Sequence, residues 1–298
     1  MDISLCGELG LIAHLSKRLK IGDDCACVPF SGKTLLLTVD ASAEGIHFDQ
    51  SFLSPYQIGY RALACAISDI AAMGGLPLYA LISLSIPKTS DLEFIDSLYS
   101  GMEEIASGLS IEIVGGDTIS SEKLAISVTI VGEAEKPVPR SGAEQGELIG
   151  VSGRLGGARR GLILLKERVP GQERLKKRYI SPYPRIEEGR RLSPYISSMI
   201  DISDGLLIDL HRLSEASKKG MQMEKGKIPI DDGATLEDAL TGGDDYELLF
   251  TFPEEYREKI EEIGGYVIGR VTEIGGVFLD DREIEPKGYD HFQNKGEV

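Results

Sequence analysis

Between a helix-start signal at Ser54-Pro55 and a stop signal at Gly74-Gly75, the chain carries the Ala-rich run ALACAISDIAAM. Ser caps with its side chain, Pro fits a first turn whose N–H has no partner anyway, and the glycine pair ends the run. The spacing therefore predicts one helix between these signals. On it, Asp69 shares a stripe with Ala62, Cys65, Ala66 and Met73, because residues three and four apart lie on one helical face. A carboxylate on so small and apolar a face is costly unless something pairs with it. Whatever fold this chain adopts must bring Asp69 a partner.

The 298 residues exceed one ordinary core, so two domains are expected. Ahead of the Asp69 helix, Leu5, Leu9, Ile12, Leu15 and Leu19 recur at helical spacing. The turn Ile21-Gly22-Asp23-Asp24 follows, then a buried strand over Thr34–Val39 with Asp40 at its carboxyl end and His47 in the loop behind it. After the helix come a strand over Tyr79–Ile86, a helix from about Asp91 with a capping box from Ser90 to Glu93, and a short strand over Ile111–Val114 ending in Gly115-Gly116-Asp117-Thr118. Leu124–Val131 alternates as a strand, and Pro137 and Pro139 then interrupt both periodicities. The boundary is placed there, giving domains over 1–137 and 138–298.

The second half repeats the style. A strand over Leu148–Val151 and a turn with Gly and Arg lead into a helix; Ile200–Gly205 opens another carrying Leu206, Leu207, Leu210 and Leu213; the turn Gly242–Glu247 leads into a strand over Leu248–Phe252. No solenoid period is visible, and the reading is a two-domain α+β protein.

The formal charge of −16 leaves no basic field for a nucleic-acid backbone. No apolar run reaches membrane-spanning length, and the start lacks a basic region ahead of a long apolar stretch. Cys6, Cys25, Cys27 and Cys65 have no Cys/His partner set for zinc, so they read as reduced thiols of a cytoplasmic protein. Any one Gly-Asp pair is usually a turn. Several acids at strand-to-turn edges, together with Asp69, make a cation site the more economical reading, and oxygen ligands without His or Cys suit Mg²⁺ bridging to phosphates. The familiar phosphate loops are absent, since position 27 is Cys27 where a P-loop needs Gly, and no protein-kinase or EF-hand motif occurs. In a chain without Trp, Tyr289 offers a stacking surface for an aromatic ligand.

Taken in order, IGDD at 21–24, TVD at 38–40, EGIHF at 44–48, SDIAAMGG at 68–75, GGDT at 115–118, RSGA at 140–143, DISDGL at 201–206, GGDDYEL at 242–248 and KGYDHF at 287–292 resemble the thiamine-monophosphate kinase family over almost the whole chain. That family lies in the ATP-binding superfamily typified by aminoimidazole ribonucleotide synthetase. The resemblance implies an N-terminal α+β domain that binds ATP and dimerises through its sheet, with a C-terminal α+β domain beside it. It implies several Mg²⁺ ions around Asp24, Thr38, Asp40, Asp69, Asp117, Asp201 and Asp204, with Val39 offering only its backbone carbonyl where relatives commonly have a hydroxyl residue. It implies ATP at Tyr99, Gly116, Asp117, Arg140 and Ser203, and the thiamine substrate at His47, Glu247 and Tyr289.

The activity so implied is transfer of the terminal phosphate of ATP to thiamine monophosphate, giving thiamine diphosphate and ADP. Sister chemistries lack their residues: Cys6-Gly7-Glu8 has no following Lys for selenophosphate synthesis, no cysteine follows Cys65 for hydrogenase maturation, and no GVGTK-type motif occurs. Two alternatives stay open, a non-catalytic protein that holds Mg²⁺-nucleotide and a ligase that activates a carbonyl or amide with ATP.

Overall fold

A computed structural model of the chain describes residues 3–19 and 21–292. The side chains of Leu5, Cys6 and Leu9, part of the predicted N-terminal stripe and cysteine set, lie outside the described residues. The first half runs α1 (Ile3–Leu15), β1 (Ala26–Phe30), β2 (Lys33–Ala43), α2 (Pro55–Ala72), β3 (Leu76–Pro87), α3 (Leu92–Gly108), β4 (Glu112–Ser121) and β5 (Ala125–Ala134). Its strands form a five-stranded sheet in the order β1-β2-β5-β3-β4. β3 and β4 pair in parallel, as the helical crossover α3 between them requires, and the other pairs are antiparallel.

The second half runs β6 (Leu148–Val151), α4 (Gly157–Lys166), α5 (Glu173–Ile180), α6 (Ile186–Leu192), β7 (Ser198–Asp201), α7 (Leu206–Ser217), β8 (Gly220–Met223), α8 (Leu236–Thr241), β9 (Leu248–Phe252), α9 (Arg257–Ile263), β10 (Tyr266–Thr272), β11 (Val277–Leu279) and β12 (Arg282–Glu283). A seven-stranded sheet in the order β12-β11-β8-β10-β6-β9-β7 results.

The predicted central helix is α2, and its cap is the predicted one: Ser54 Oγ accepts from Gln57 N at 3.3 Å while Gln57 Oε1 accepts from Ser54 N at 2.9 Å. Small residues let its neighbours come close. A Cβ at Gly59 would sit 1.9 Å from Leu98 O on α3, and one at Gly101 of α3 would sit 1.9 Å from Tyr56 O. α2 packs on α3, β2 and β5 of its own half and on α5, α6 and β7 of the other. One continuous core accordingly runs from Leu36, Ile82 and Leu98 to Leu148, Tyr179 and Phe250. A second core, with Val151, Ile200, Leu210 and Ile268, belongs to the C-terminal half alone.

Three local expectations need correction. The cap of α3 is Asp91, whose Oδ1 accepts from Phe94 N at 2.8 Å, and not Ser90. β2 continues past Val39 to Ala43, so Asp40 lies within the strand and pairs with Val128. Gly115-Gly116-Asp117-Thr118 is also strand, not a turn, because β4 pairs with β3 as far as Ser121. Glycine at position 116 answers to a close approach, since a Cβ there would lie 1.7 Å from Ile82 O.

Ile82, Leu84, Ile126 and Val128 turn one face of the first sheet into the core. On its other face Val39, Tyr79, Leu81 and Ile119 are 40% to 65% exposed, leaving an uncovered apolar surface. Among the described residues no helix is long and apolar enough to cross a membrane.

The α2–α3 approach generates a stability prediction. Gly101→Ala drives a methyl into helix backbone and is expected to cost about 1–3 kcal/mol, whereas Gly108→Ala, with nothing within 4 Å, is expected to stay within about 0.5 kcal/mol of the parent. Denaturant melts of the two variants check this; equal stability would show that the helices do not approach as described.

Candidate active site

Arg61, Cys65 and Asp69 follow one another at helical spacing along α2, and all three line a cavity of about 750 Å³ whose walls come from both halves. At one end Asp69 meets Asp24, from the turn ahead of β1, and Asp201, from the end of β7. Carboxylate oxygens of the three lie within 4.8 Å of one another. Thr38 Oγ1 donates to Asp69 Oδ2, and Ser68 Oγ donates to Asp201 Oδ2 at 2.7 Å. Arg140 grips Asp24 with one edge of its guanidinium, Nη2 donating to Oδ1 at 2.8 Å and Nε to Oδ2 at 3.2 Å.

Burial, with Asp201 and Asp24 adjoining, pushes the Asp69 carboxyl well above its usual range. Burial and Asp24 push Asp201 up likewise. Crowded buried acids rise because the charged form loses water and meets like charge. A divalent cation relieves both penalties, and a donor set made only of carboxylate and hydroxyl oxygens fits a hard ion such as Mg²⁺. Asp40, raised chiefly by burial, and Asp204, held by Arg212 Nη1 at 2.6 Å, line the same cavity, as do Val39 and Ser203.

Another part of the lining is aromatic. His47, Tyr179, Tyr289 and His291 line it; the His47 and His291 rings are 5.0 Å apart, and Tyr289 meets His291 edge-on at 4.8 Å. His47 Nδ1 accepts from Ala43 N at 3.0 Å, which leaves Nε2 to carry the ring proton. Burial, with His291 alongside, pushes His47 down to about 4, so the ring is neutral at pH 7.

Two loops complete the cavity. Asp244 N donates to Ser203 O at 2.8 Å, Tyr246 N to Ile202 O at 2.9 Å, and Ile202 N to Glu247 O at 2.7 Å, so residues 242–247 and 201–204 are laced together. This lacing sustains left-handed backbone at Asp244 (φ 71°) and Tyr246 (φ 50°), conformations that cost non-glycine residues of order 1 kcal/mol or more.

The loops also place Glu247, expected at the thiamine substrate. Glu247 does not line the cavity: it is fully buried, with Arg178 at 3.1 Å, Arg185 at 2.5 Å and the Ser152 hydroxyl at 2.6 Å on its carboxylate. The acid of that motif which faces the cavity is Asp244. Along a tight loop only some side chains point inward, and motif spelling does not say which. Arg61 also escaped the sequence reading, although it lies one turn before Cys65 on the stripe that singled out Asp69.

The residues expected at ATP are divided. Ser203 lines the cavity and Arg140 holds Asp24. Tyr99 is half-buried on α3, and Gly116 and Asp117 lie on exposed β4 at the sheet edge farthest from β1; none of these three lines the cavity.

Comparison with known proteins agrees with this architecture in both halves. Residues 22–134 match the AIR synthase related protein N-terminal domain and residues 150–282 the corresponding C-terminal domain. The chain is 38% identical to a thiamine-monophosphate kinase of Aquifex aeolicus (strain VF5), over 98% of this chain and 100% of that protein. It is 34% identical to one of Bacillus subtilis (strain 168), over 95% and 96%. The solved structure of AaThiL complexed with AMPPCP and TMP superimposes with a TM-score of 0.93 at 38% identity, covering 98% of this chain and 99% of that one. With both domains matched and full-length likeness well above 30% identity, the chain belongs to the AIR synthase related proteins and, within them, to the thiamine-monophosphate kinase family.

Proposed function

We propose that this chain moves the terminal phosphate of ATP directly onto thiamine monophosphate, giving ADP and thiamine diphosphate, as a homodimer in the cytoplasm. The observation that carries this reading is one cavity lined both by the acidic cluster around Asp69 and by aromatic side chains, among them a His47 kept neutral by burial. Thiamine monophosphate offers a phosphate that is mostly dianion near neutral pH, a cationic thiazolium ring on the arm that carries it, and an aminopyrimidine ring beyond. A neutral His47 does not repel that cation, and Tyr289 offers it a π surface. The relatives named as thiamine-monophosphate kinases, and the AaThiL complex with AMPPCP and TMP, support the same assignment.

Asp24, Asp69 and Asp201, with the Thr38 hydroxyl and with Asp40 and Asp204 farther along the cavity, would hold Mg²⁺. When bound, Mg²⁺ offsets phosphate–phosphate repulsion, which amounts to about 4 kcal/mol per pair of unit charges 4 Å apart at an effective dielectric of about 20. The chain's own residues orient the two phosphates and keep water out. With a second pKa of about 6, the acceptor phosphate is mostly dianion at neutral pH and needs no general base. No Ser-His or Cys-His pair among the described lining residues serves as a nucleophile, which favours a single displacement.

The uncovered face around Val39, Tyr79, Leu81 and Ile119 is the surface we assign to dimerisation. A second copy there would also account for Tyr99, Gly116 and Asp117 standing away from the cavity of their own chain. The domain boundary is assigned at residue 138, between the two matched regions.

Three outcomes are expected. With Mg²⁺-ATP, ADP release tracks thiamine monophosphate and not thiamine, stops on chelation, and falls about 100-fold or more in Asp40→Asn with little change in acceptor KM. Turnover with a carbonyl or amide acceptor instead, or nucleotide binding without product, overturns the reading. ATP made chiral at its γ-phosphorus is expected to give thiamine diphosphate of inverted configuration, and net retention would establish a phosphoenzyme. Sedimentation at micromolar concentration is expected to show a dimer; a monomer there rules out the sheet-face assignment.

A further inference from the structure

Arg61 is a charged side chain buried to 5% exposure in the middle of an apolar helix. A guanidinium in such a place is kept only where its donors are matched. Here two donors and the face of the group are matched. Nη2 meets Asp244 Oδ1 at 2.5 Å, Nη1 donates to Tyr179 O at 2.5 Å, and the guanidinium carbon stands 4.0 Å from the centre of the Tyr179 ring. Tyr179 extends the chain of contacts, since its Oη donates to His47 O at 3.0 Å. One side chain of the first half thus fastens three segments: the 242–247 loop, α5 and the loop carrying His47.

The contacts lie at one end of the cavity. Arg61 and Asp69 are eight residues apart on α2, a helical rise of about 12 Å, and Asp69 belongs to the acidic cluster at the other end. An acceptor lying along α2 with its phosphate toward Asp69 brings its rings beside Asp244, His47 and Tyr289. Arg61 and the Tyr246 hydroxyl, at 3.3 Å, both address Asp244 Oδ1. Both contacts fall on Oδ1, and the Asp244 side chain lines the cavity.

We infer that Arg61 is a positioning residue for the acceptor end of this cavity, holding Asp244 directly and the His47 loop through Tyr179. The inference rests on the reading above that thiamine monophosphate is the acceptor. Lysine at this place keeps the charge on Asp244, but a single ammonium does not reproduce a planar fork that also spans to Tyr179 O and stacks on its ring. A residue that positions only the acceptor leaves the nucleotide end untouched, which separates it from one that merely supports the fold.

The test is steady-state kinetics of the full chain as wild type, Arg61→Met and Arg61→Lys, each shown folded by a cooperative melt. Arg61→Met is expected to raise acceptor KM about 10-fold or more, the scale of a lost hydrogen bond to a charged group. The KM for Mg²⁺-ATP is expected to stay within about 2-fold, and Arg61→Lys is expected to recover part of the loss. Should Arg61→Met fail to fold, Tyr179→Phe decides, because it removes only the hydroxyl on His47 O; a rise in acceptor KM of about 3-fold is expected. Equal shifts in both KM values, or an unchanged acceptor KM in the variant that decides, overturn the inference while leaving the proposed reaction intact. A wild-type chain inactive with thiamine monophosphate overturns the reaction and the inference together.

Discussion

Desolvation of charge along one small-residue helix governs this structure. α2 carries Arg61 and Asp69 among alanines and isoleucines that are almost wholly buried, and neither charge is tolerable there alone. Asp69 takes the Thr38 hydroxyl and stands beside Asp24 and Asp201, where a cation would be shared among the three carboxylates; Arg61 takes Asp244 and Tyr179. These partners come from β2, from the turn ahead of β1, from the end of β7, from α5 and from the 242–247 loop. Satisfying two charges on one helix therefore draws both halves of the chain around it, and the cavity is the space they leave.

The two ends of the cavity use burial in opposite ways. At the acidic end burial raises carboxyl groups and sets up an attraction for a cation. On the aromatic side burial lowers His47 and keeps its ring neutral. A ligand with an anionic end and a cationic aromatic end meets a suitable surface at both. The second ring of interactions is ionic and does not face the ligand: Glu247 with Arg178 and Arg185, and Asp209 with Arg212, lie behind the loops that present Asp244 and Asp204. Truncating one member of such a group leaves an unmatched buried charge, so these residues affect the site by holding loops in place.

Glycine shows how one residue type answers to different constraints. Gly59 and Gly101 allow helix to meet helix, and Gly116 allows β4 to lie close to Ile82. Local reading assigns Gly115-Gly116 to a turn because paired glycines usually punctuate a chain. Here the requirement comes from a neighbouring strand far away in sequence, which no local pattern reports. Asp40 is similar: its strand continues because β5 supplies partners as far as Ala43.

Periodicity and capping chemistry by themselves determined α2, its start at Ser54, the two α+β halves, the connector with two prolines, and the conclusion that Asp69 needs a partner. These are short-range properties, decided by residues within one or two turns of each other. The acidic cluster was legible as a set, since Asp24, Asp69 and Asp201 each stood out at a turn, on an apolar stripe or at the opening of a helix. Which acids converge was decided only in three dimensions, as was the direction each one faces. That is why Asp244 enters the cavity while Glu247, three residues on in the same motif, is locked beneath it by Arg178 and Arg185. It is also why Arg61, an unremarked residue in an amphipathic run, proves to join three segments: a side chain's partners depend on long-range packing, and packing is a property of the whole chain.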